Sequence, residues 1–274
     1  MKKIYVNLKR FDVPKEAGGV NSFAPMDSWA REIVEQTEAE LKKIDGAEFT
    51  FFFPELHVLN AKKASEDIIN IGCQGVYMED VETGKNFGAF TSLSPAKAMK
   101  YAGASQVIIG HCEERKAKEK LIKRAGGDLG IVNEILNEEI KAALNNDMKV
   151  LYCIGEKDYE QDRFQEVLRA QLEIGLKDCD LSKITIAYEP VWAIGPGKTP
   201  PDKEYITKIA RYIKSVFDLD VVYGGGLKSD NAEMLSEIEE ISGGLIALTR
   251  FSGDIGFYPD EYIEIVEKYL NRRQ

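Results

Sequence analysis

Four kinds of side chain in this sequence could together move a proton at a carbon beside a carbonyl: a carboxylate, an imidazole, an ammonium and an amide. The carboxylate is Glu189. It follows the run Lys183-Ile184-Thr185-Ile186 and precedes Pro190-Val191-Trp192-Ala193-Ile194-Gly195-Pro196-Gly197-Lys198-Thr199-Pro200. The β-branched run reads as a buried strand, so Glu189 stands at a strand end beneath a loop with proline at its hinge and glycine at its tip. A loop that closes over a base keeps water out of a proton transfer. Taken alone, Glu189 reads equally well as a surface acid.

The other groups occupy similar places. His111 leaves the apolar run 106–110 in the sequence His111-Cys112-Glu113-Glu114-Arg115. Asn7 and Lys9 end the first strand, 3–7, and the two-residue period puts both on one face. Gly224-Gly225-Gly226 follows the run 220–223 and leads into a short helix opened by Ser229-Asp230. Such a turn offers backbone N–H groups and a positive dipole to a phosphate. The other histidine, His57, follows Pro54 at a helix start and reads as a capping or packing residue.

These positions need a frame. Apolar strand-like runs fall at 3–7, 48–53, 68–74, 106–110, 149–154, 183–186, 220–223 and 244–248. Helical periodicity falls at 26–43, 131–144, 159–176, after Asp202, and at 259–270, with a short helix from Ser94-Pro95 to near Tyr101. Alternation of this kind predicts an α/β fold with a parallel sheet. Eight repeats in 274 residues fit a closed (β/α)8 barrel, one catalytic domain over 1–274, better than an open doubly wound sheet. In a closed barrel the strand C-terminal ends share one mouth, so Asn7, Lys9, His111, Glu113, Glu189 and the glycine turn converge.

Composition narrows the chemistry. Hydrophobic content of 44% and charged content of 30% are ordinary for a soluble globular chain. A net charge of -10 argues against nucleic acid or an anionic membrane as partner, while a few local cations can still hold an anionic small molecule. Cys73, Cys112, Cys153 and Cys179 show no Cys-x-x-Cys spacing, which suits free thiols in a reducing cytoplasm. No apolar run approaches the roughly 18 residues of a membrane span, and no signal-peptide core is present. A cytoplasmic protein is expected. There is no serine elbow and no metal-ligand spacing such as His-x-x-x-His, so no cofactor and no metal are expected. Cys112 could be a nucleophile paired with His111, but strand alternation predicts that the two side chains face opposite ways. The chemistry left is proton abstraction beside a carbonyl, with the enediolate held by neutral and cationic donors.

The sequence resembles the triosephosphate isomerase family. The resemblance rests on Asn7-Leu8-Lys9, Ile109-Gly110-His111-Cys112-Glu113-Glu114-Arg115, Cys153-Ile154-Gly155-Glu156, the segment 187–199 and Tyr223-Gly224-Gly225, which span the chain in order. It implies a TIM barrel and an aldose–ketose isomerase of glycolysis and gluconeogenesis. Such an enzyme interconverts glyceraldehyde 3-phosphate and dihydroxyacetone phosphate as a cofactor-independent homodimer. By the same resemblance Glu189 is the base, and neutral His111 polarises the carbonyl and shuttles protons between the oxygens. Lys9 stabilises negative charge, Glu113 positions Lys9, and Asn7 gives a hydrogen bond to substrate. The loop 190–200 closes over the phosphate with the Gly195 amide, beside Gly224, Gly225 and Gly226.

The departures from the family pattern cluster at the phosphate end. Gly226 replaces a serine, and Ala247-Leu248, followed by Thr249-Arg250-Phe251, replaces a glycine pair. Pro200, which has no N–H, replaces a residue that donates its amide to Tyr223. With Pro196 and Pro200 in it, the lid is expected to close differently. Arg250, or Arg10 of the lengthened first loop, is expected to replace the lost amides as a cationic clamp, the alternative for Arg250 being a surface ion pair. On the dimer loop Ser92-Leu93 stands in place of Gly-Glu. Two other functions fit the same residues: isomerisation of a different short sugar phosphate, such as a four-carbon ketose phosphate, and a silent metabolite-binding barrel. Intact Asn7, Lys9, His111 and Glu189 argue against the silent barrel.

Overall fold

Each of the eight apolar runs forms a strand in the computed structural model, which describes residues 1–195 and 197–271. The strands are β1 (Lys2–Asn7), β2 (Ala47–Phe53), β3 (Ile69–Cys73), β4 (Gln106–Ile109), β5 (Lys149–Ile154), β6 (Ile184–Tyr188), β7 (Val221–Tyr223) and β8 (Gly243–Ile246). They pair in parallel in chain order, and β8 closes the barrel on β1, with Ile4 opposite Phe49 on one side and Gly244 on the other. Among the described residues no helix is long and apolar enough to cross a membrane.

Both faces of each strand are covered, which is why the runs read as continuously apolar instead of alternating. Tyr5, Phe52, Ile108, Leu151, Cys153, Ala187, Val222 and Leu245 fill the barrel, with Tyr5 stacked on Phe52 at 5.9 Å. Their chain neighbours, such as Ile4, Val6, Phe51, Val107 and Val150, belong to the outer core shared with the helices. The two-residue period carries this inner face on to the mouth. Asn7 comes two residues after Tyr5, and Glu189 two residues after Ala187.

The surrounding helices are α1 (Trp29–Leu41), α2 (Glu55–Ala64), α3 (Ala96–Ala102), α4 (Cys112–Arg124), α5 (Ile131–Leu144), α6 (Phe164–Gly175), α7 (Lys203–Val216), α8 (Ala232–Ser236) and α9 (Pro259–Tyr269). Helix α7 begins where expected, with the Tyr205 N–H donating to Asp202 Oδ1 at 2.8 Å. Two differences from the sequence expectation have physical causes. Helix α4 has no apolar stripe, and only Arg115 of it is buried. It forms from the high helix propensity of Glu, Lys, Ala and Arg and so escapes a search for hydrophobic periodicity. The expected helix 159–176 begins as a 3-10 turn, Asp158–Arg163, before α6.

The long segment after β1 is held by a buried acid. Asp12 is fully enclosed and accepts from Arg10 Nε at 2.9 Å, with His57 Nε2 at 3.2 Å. Asn21 donates to the Asp12 carbonyl at 3.1 Å, and the His57 ring packs against Trp29 at 5.2 Å. A buried carboxylate is stable only when paired this way. Farther along, Lys15 pairs with Asp254, Ser22 Oγ lies 3.1 Å from the Tyr258 hydroxyl, and Phe23 meets the Tyr258 ring edge-on. The first loop and the loop after β8 therefore form one wall of the barrel mouth.

Candidate active site

Lys9 sits just beyond β1 with φ at +43°, a left-handed conformation that costs a non-glycine residue roughly 1–3 kcal/mol and is held by its surroundings. Its N–H donates to Asn7 Oδ1 at 3.0 Å, and Gln74 Nε2 donates to its carbonyl at 2.9 Å and to that of Phe52 at 3.1 Å. The backbone thus fixes where the ammonium starts. Lys9 Nζ reaches Glu113 Oε1 at 2.9 Å. Burial alone would raise the Glu113 carboxyl, but this ammonium holds it below its ordinary value.

His111 caps α4, its Nδ1 accepting the Glu113 N–H at 3.3 Å. That bond assigns the proton of the neutral ring to Nε2, which lies 3.3 Å from Glu189 Oε1. Burial, with the Lys9 charge adding to it, pushes the imidazole down to about 4, so the ring is neutral near pH 7. Glu189 itself is 2% exposed. Its Oε2 accepts the Cys112 N–H at 2.8 Å, while Oε1 faces the imidazole without an aligned hydrogen bond. Burial pushes this carboxyl up to about 8, against the pull of the Cys112 N–H, Arg115 and Lys9. The Arg115 guanidinium is itself buried and satisfied by the Gly110 and Cys153 carbonyls and the Tyr152 hydroxyl.

The expectation for Cys112 is overturned. Strand β4 ends at Ile109 and Gly110 turns the chain at φ +79°, so alternation does not extend to His111 and Cys112. Both lie at the start of a helix, and Cys112 Sγ is 4.0 Å from each ring nitrogen of His111. Burial and Glu189 push the thiol up to about 12, which keeps it protonated and a poor nucleophile. The donor atoms of His111, Cys112 and Glu189 fall within 4.8 Å of one another. A sulfur equidistant from both ring nitrogens lies on neither lone-pair axis, so the set does not fit a metal centre.

The near hinge of the lid is anchored by Glu156. Its Oε1 accepts from Trp192 Nε1 at 2.7 Å, from the Tyr188 hydroxyl at 2.8 Å and from the Tyr205 hydroxyl at 3.1 Å. Its carbonyl accepts the Val191 N–H at 3.2 Å. Gly195, at φ +119°, has open space around it, and Pro196 lies outside the described residues. Pro200 offers no N–H, and the Tyr223 hydroxyl has no hydrogen-bond partner among the described residues.

At the turn after β7 the glycines have distinct reasons. A Cβ on Gly224 would come 2.9 Å from Glu189 Cγ, so a larger residue would push the carboxylate out of place. Gly225 packs on the Tyr223 ring. Gly226 adopts φ +100°, a conformation serine holds only with strain. The helix that follows, α8, has five residues, which leaves little dipole for a phosphate.

Arg250 donates from Nε and Nη2 to Glu261 Oε1, both at 2.7 Å, and lies 3.8 Å over the Tyr258 ring. Arg10, paired with Asp12, borders the mouth. A cavity of about 380 Å³ opens there between Asn7, Lys9, Arg10, Gln74, His111 and Glu113.

A family model described as triosephosphate isomerase matches residues 24–267. The chain belongs to the triosephosphate isomerase family. Triosephosphate isomerase from Geobacter metallireducens is 37% identical over 218 residues, covering 73% of this chain and 80% of that one. The Fusobacterium nucleatum triosephosphate isomerase is 32% identical over 245 residues, covering 83% and 86%. The crystal structure of triosephosphate isomerase from Bartonella henselae superimposes with a TM-score of 0.73 at 23% identity, covering 98% and 99%, a likeness of fold. The TIM barrel expected from strand alternation is therefore the observed architecture. The family match begins beyond Asn7 and Lys9, so those two residues stand on their geometry.

Sequence reasoning passed over the roles of two side chains and one backbone group at this site. Gln74 supports the strained Lys9 backbone, Trp192 bonds the lid hinge to Glu156, and the Cys112 N–H orients Glu189. Gln74 carried a usable signal, since it too lies at a strand C-terminal end.

Proposed function

We propose that this protein interconverts glyceraldehyde 3-phosphate and dihydroxyacetone phosphate through an enediolate, with Glu189 as the base. The observation that carries this reading is the pairing of a buried carboxylate with a neutral imidazole 3.3 Å away, at the mouth of a barrel whose family is triosephosphate isomerase. A carboxyl raised to about 8 by burial has the basicity to take a carbon-bound proton near neutral pH. His111 presents an Nε2 proton to the substrate oxygens and passes it between them. Lys9 lies close enough to hold the developing negative charge, Glu113 orients it, and Asn7 supplies a hydrogen bond. The phosphate faces the lid and the turn after β7, where the amides of Gly195, Gly225 and Gly226 serve it. Of the other groups read from sequence, the Gly224 N–H is already donated to the Tyr188 carbonyl at 2.6 Å and Arg250 is paired with Glu261.

The relatives named above are triosephosphate isomerases, and neither a four-carbon substrate nor a silent site draws support from them. The same reading makes the protein a cytoplasmic enzyme that acts without cofactor as a homodimer. Phe87 and Leu93, on the loop between β3 and α3, are 87% and 47% exposed, apolar surface that suits burial against a second copy. A coupled assay of the purified protein on three- and four-carbon sugar phosphates tests the reaction. Isomerisation of the triose phosphates is expected, and a rate indistinguishable from buffer would overturn the proposal. Sedimentation equilibrium tests the dimer.

A further inference from the structure

We propose that Lys228 is the phosphate-binding cation of this site, taking the place of both missing elements of the phosphate cradle. The inference rests on the isomerase reading above and assigns the recognition of its anionic end.

Lys228 lies two residues beyond Gly226 on the turn that follows β7, the same turn whose Gly224 abuts Glu189. A Cβ built on Gly226 would meet Lys228 Cε at 3.5 Å. The end of the lysine stem therefore fills the space that a side chain at position 226 would enter. The φ of +100° at Gly226 favours glycine, so no side chain at that position competes for the space. Leu227 fixes the turn from below, its N–H donating to the Leu245 carbonyl of β8 at 2.9 Å. The Lys228 N–H donates to Asn231 Oδ1 at 2.8 Å, and Asn231 Nδ2 donates to the Gly226 carbonyl at 2.9 Å.

The ammonium is seated by the other altered segment. Lys228 Nζ lies 4.4 Å over the ring of Phe251, in the loop that replaces the strand-eight glycine pair. The ring face gives the cation a preferred position without neutralising it. That loop is in turn braced by the first loop through Lys15–Asp254 and Ser22–Tyr258.

Charge accounting separates Lys228 from Arg250, Arg10 and Lys9. Arg250 is committed to Glu261 and stacked on Tyr258, Arg10 is committed to Asp12, and Lys9 to Glu113. Among the described residues Lys228 makes no ion pair. It is half-buried, and a half-buried cation without a carboxylate gains most from an incoming dianion. A point charge on a flexible stem also suits a phosphate no longer fixed by a ring of backbone amides.

The test uses Lys228→Ala, Lys228→Gln and Lys228→Arg in the full-length protein, with Arg250→Ala beside them. Binding of inorganic phosphate is read by calorimetry, and KM and kcat are measured with glyceraldehyde 3-phosphate and with unphosphorylated glyceraldehyde. Lys228→Ala and Lys228→Gln are expected to weaken phosphate binding and raise KM for the triose phosphate about tenfold, equivalent to about 1.4 kcal/mol. This loss should exceed the loss on glyceraldehyde by a similar factor, and Lys228→Arg should restore part of it. Lys228→Gln keeps the stem against Phe251, so a fall with that variant reports the charge and not the packing. Phosphate affinity and KM unchanged by Lys228→Gln, or a loss that follows Arg250→Ala alone, would overturn the inference. An unaltered protein that binds phosphate through Lys228 but isomerises no triose phosphate would strike the isomerase reading only.

Discussion

The backbone N–H of Cys112 donates to Glu189 Oε2 at 2.8 Å, joining the first turn of α4 to the end of β6. The bond fixes one carboxylate oxygen and leaves the other toward His111. Replacing Glu189 with Gln keeps an acceptor for that N–H and removes the basicity. General base catalysis is worth roughly 10²–10⁴ in rate, so Glu189→Gln is expected to lower kcat about 10³-fold with KM within a few-fold. Steady-state kinetics on the triose phosphates measure this, and a kcat within tenfold of the unaltered protein would remove Glu189 from its role.

The pH dependence follows from the same burial. With its carboxyl pushed up to about 8 from an ordinary 4.5, Glu189 becomes the active carboxylate as pH rises. The value of kcat/KM should climb with pH through a midpoint near 8, with its plateau at higher pH, far above an ordinary acid limb. The stability consequence has the opposite direction. The folded state binds this proton more tightly than the unfolded chain, so the contribution of Glu189 is fully present below pH 4.5 and is lost as pH rises toward 8. Glu189→Gln, which cannot ionise, should therefore be more stable than the unaltered protein at pH 9 by urea denaturation.

The His111 ring should stay neutral across the working range. Burial pushes it down to about 4, and its Nδ1 is occupied by the Glu113 N–H. Nitrogen-15 NMR of the imidazole should report the Nε2-protonated neutral tautomer from pH 5 to 9. A titration midpoint near the ordinary 6.5 would contradict the geometry.

Trp192 links lid to barrel through Glu156. Trp192→Phe keeps the ring stacking against Tyr205, 5.7 Å between centroids, and removes the donor to a fully buried carboxylate. Losing one such bond costs about 1–3 kcal/mol. A lower Tm is expected together with a few-fold fall in kcat, because the hinge loses one of its fixed points. An unchanged Tm and kcat would mean that Tyr188 and Tyr205 alone hold the hinge.

The first loop should come loose at low pH. Burial outweighs Asp12 in pushing His57 below its ordinary value, so the unfolded chain protonates first and the contribution of His57 is lost as pH falls below about 6.5. Asp12 is held low despite its burial by its bonds to Arg10 and His57, and its contribution is lost at lower pH still. Asp12→Ala leaves His57 buried without its partner and should cost about 1–3 kcal/mol. Limited proteolysis within residues 10–25 should accelerate in that variant.

Much of this protein was legible in one dimension. Eight apolar runs separated by helical periods imply a barrel because a parallel strand buried on both faces leaves an uninterrupted hydrophobic signature. Glu189, His111, Lys9 and Asn7 could be chosen because a closed barrel brings all strand C-terminal ends to one mouth. Helix α4 was not legible, since a helix stabilised by propensity and one buried arginine has no stripe to read. Gln74 and Trp192 were hidden for a similar reason, because each acts through a partner far away in the chain.

The sequence by itself determined the fold and the identity of the chemical groups, since periodicity and residue type are local properties. Only the tertiary structure decided which groups meet and in what state. Whether Cys112 faces His111 depends on where β4 stops, and that is set by a left-handed turn at Gly110. The neutrality of His111 and the basicity of Glu189 come from burial, which no residue specifies alone. Arg250 and Lys228 look alike as isolated cations in the sequence. Packing gives Arg250 a carboxylate, and it leaves Lys228 on an aromatic ring with its charge unspent.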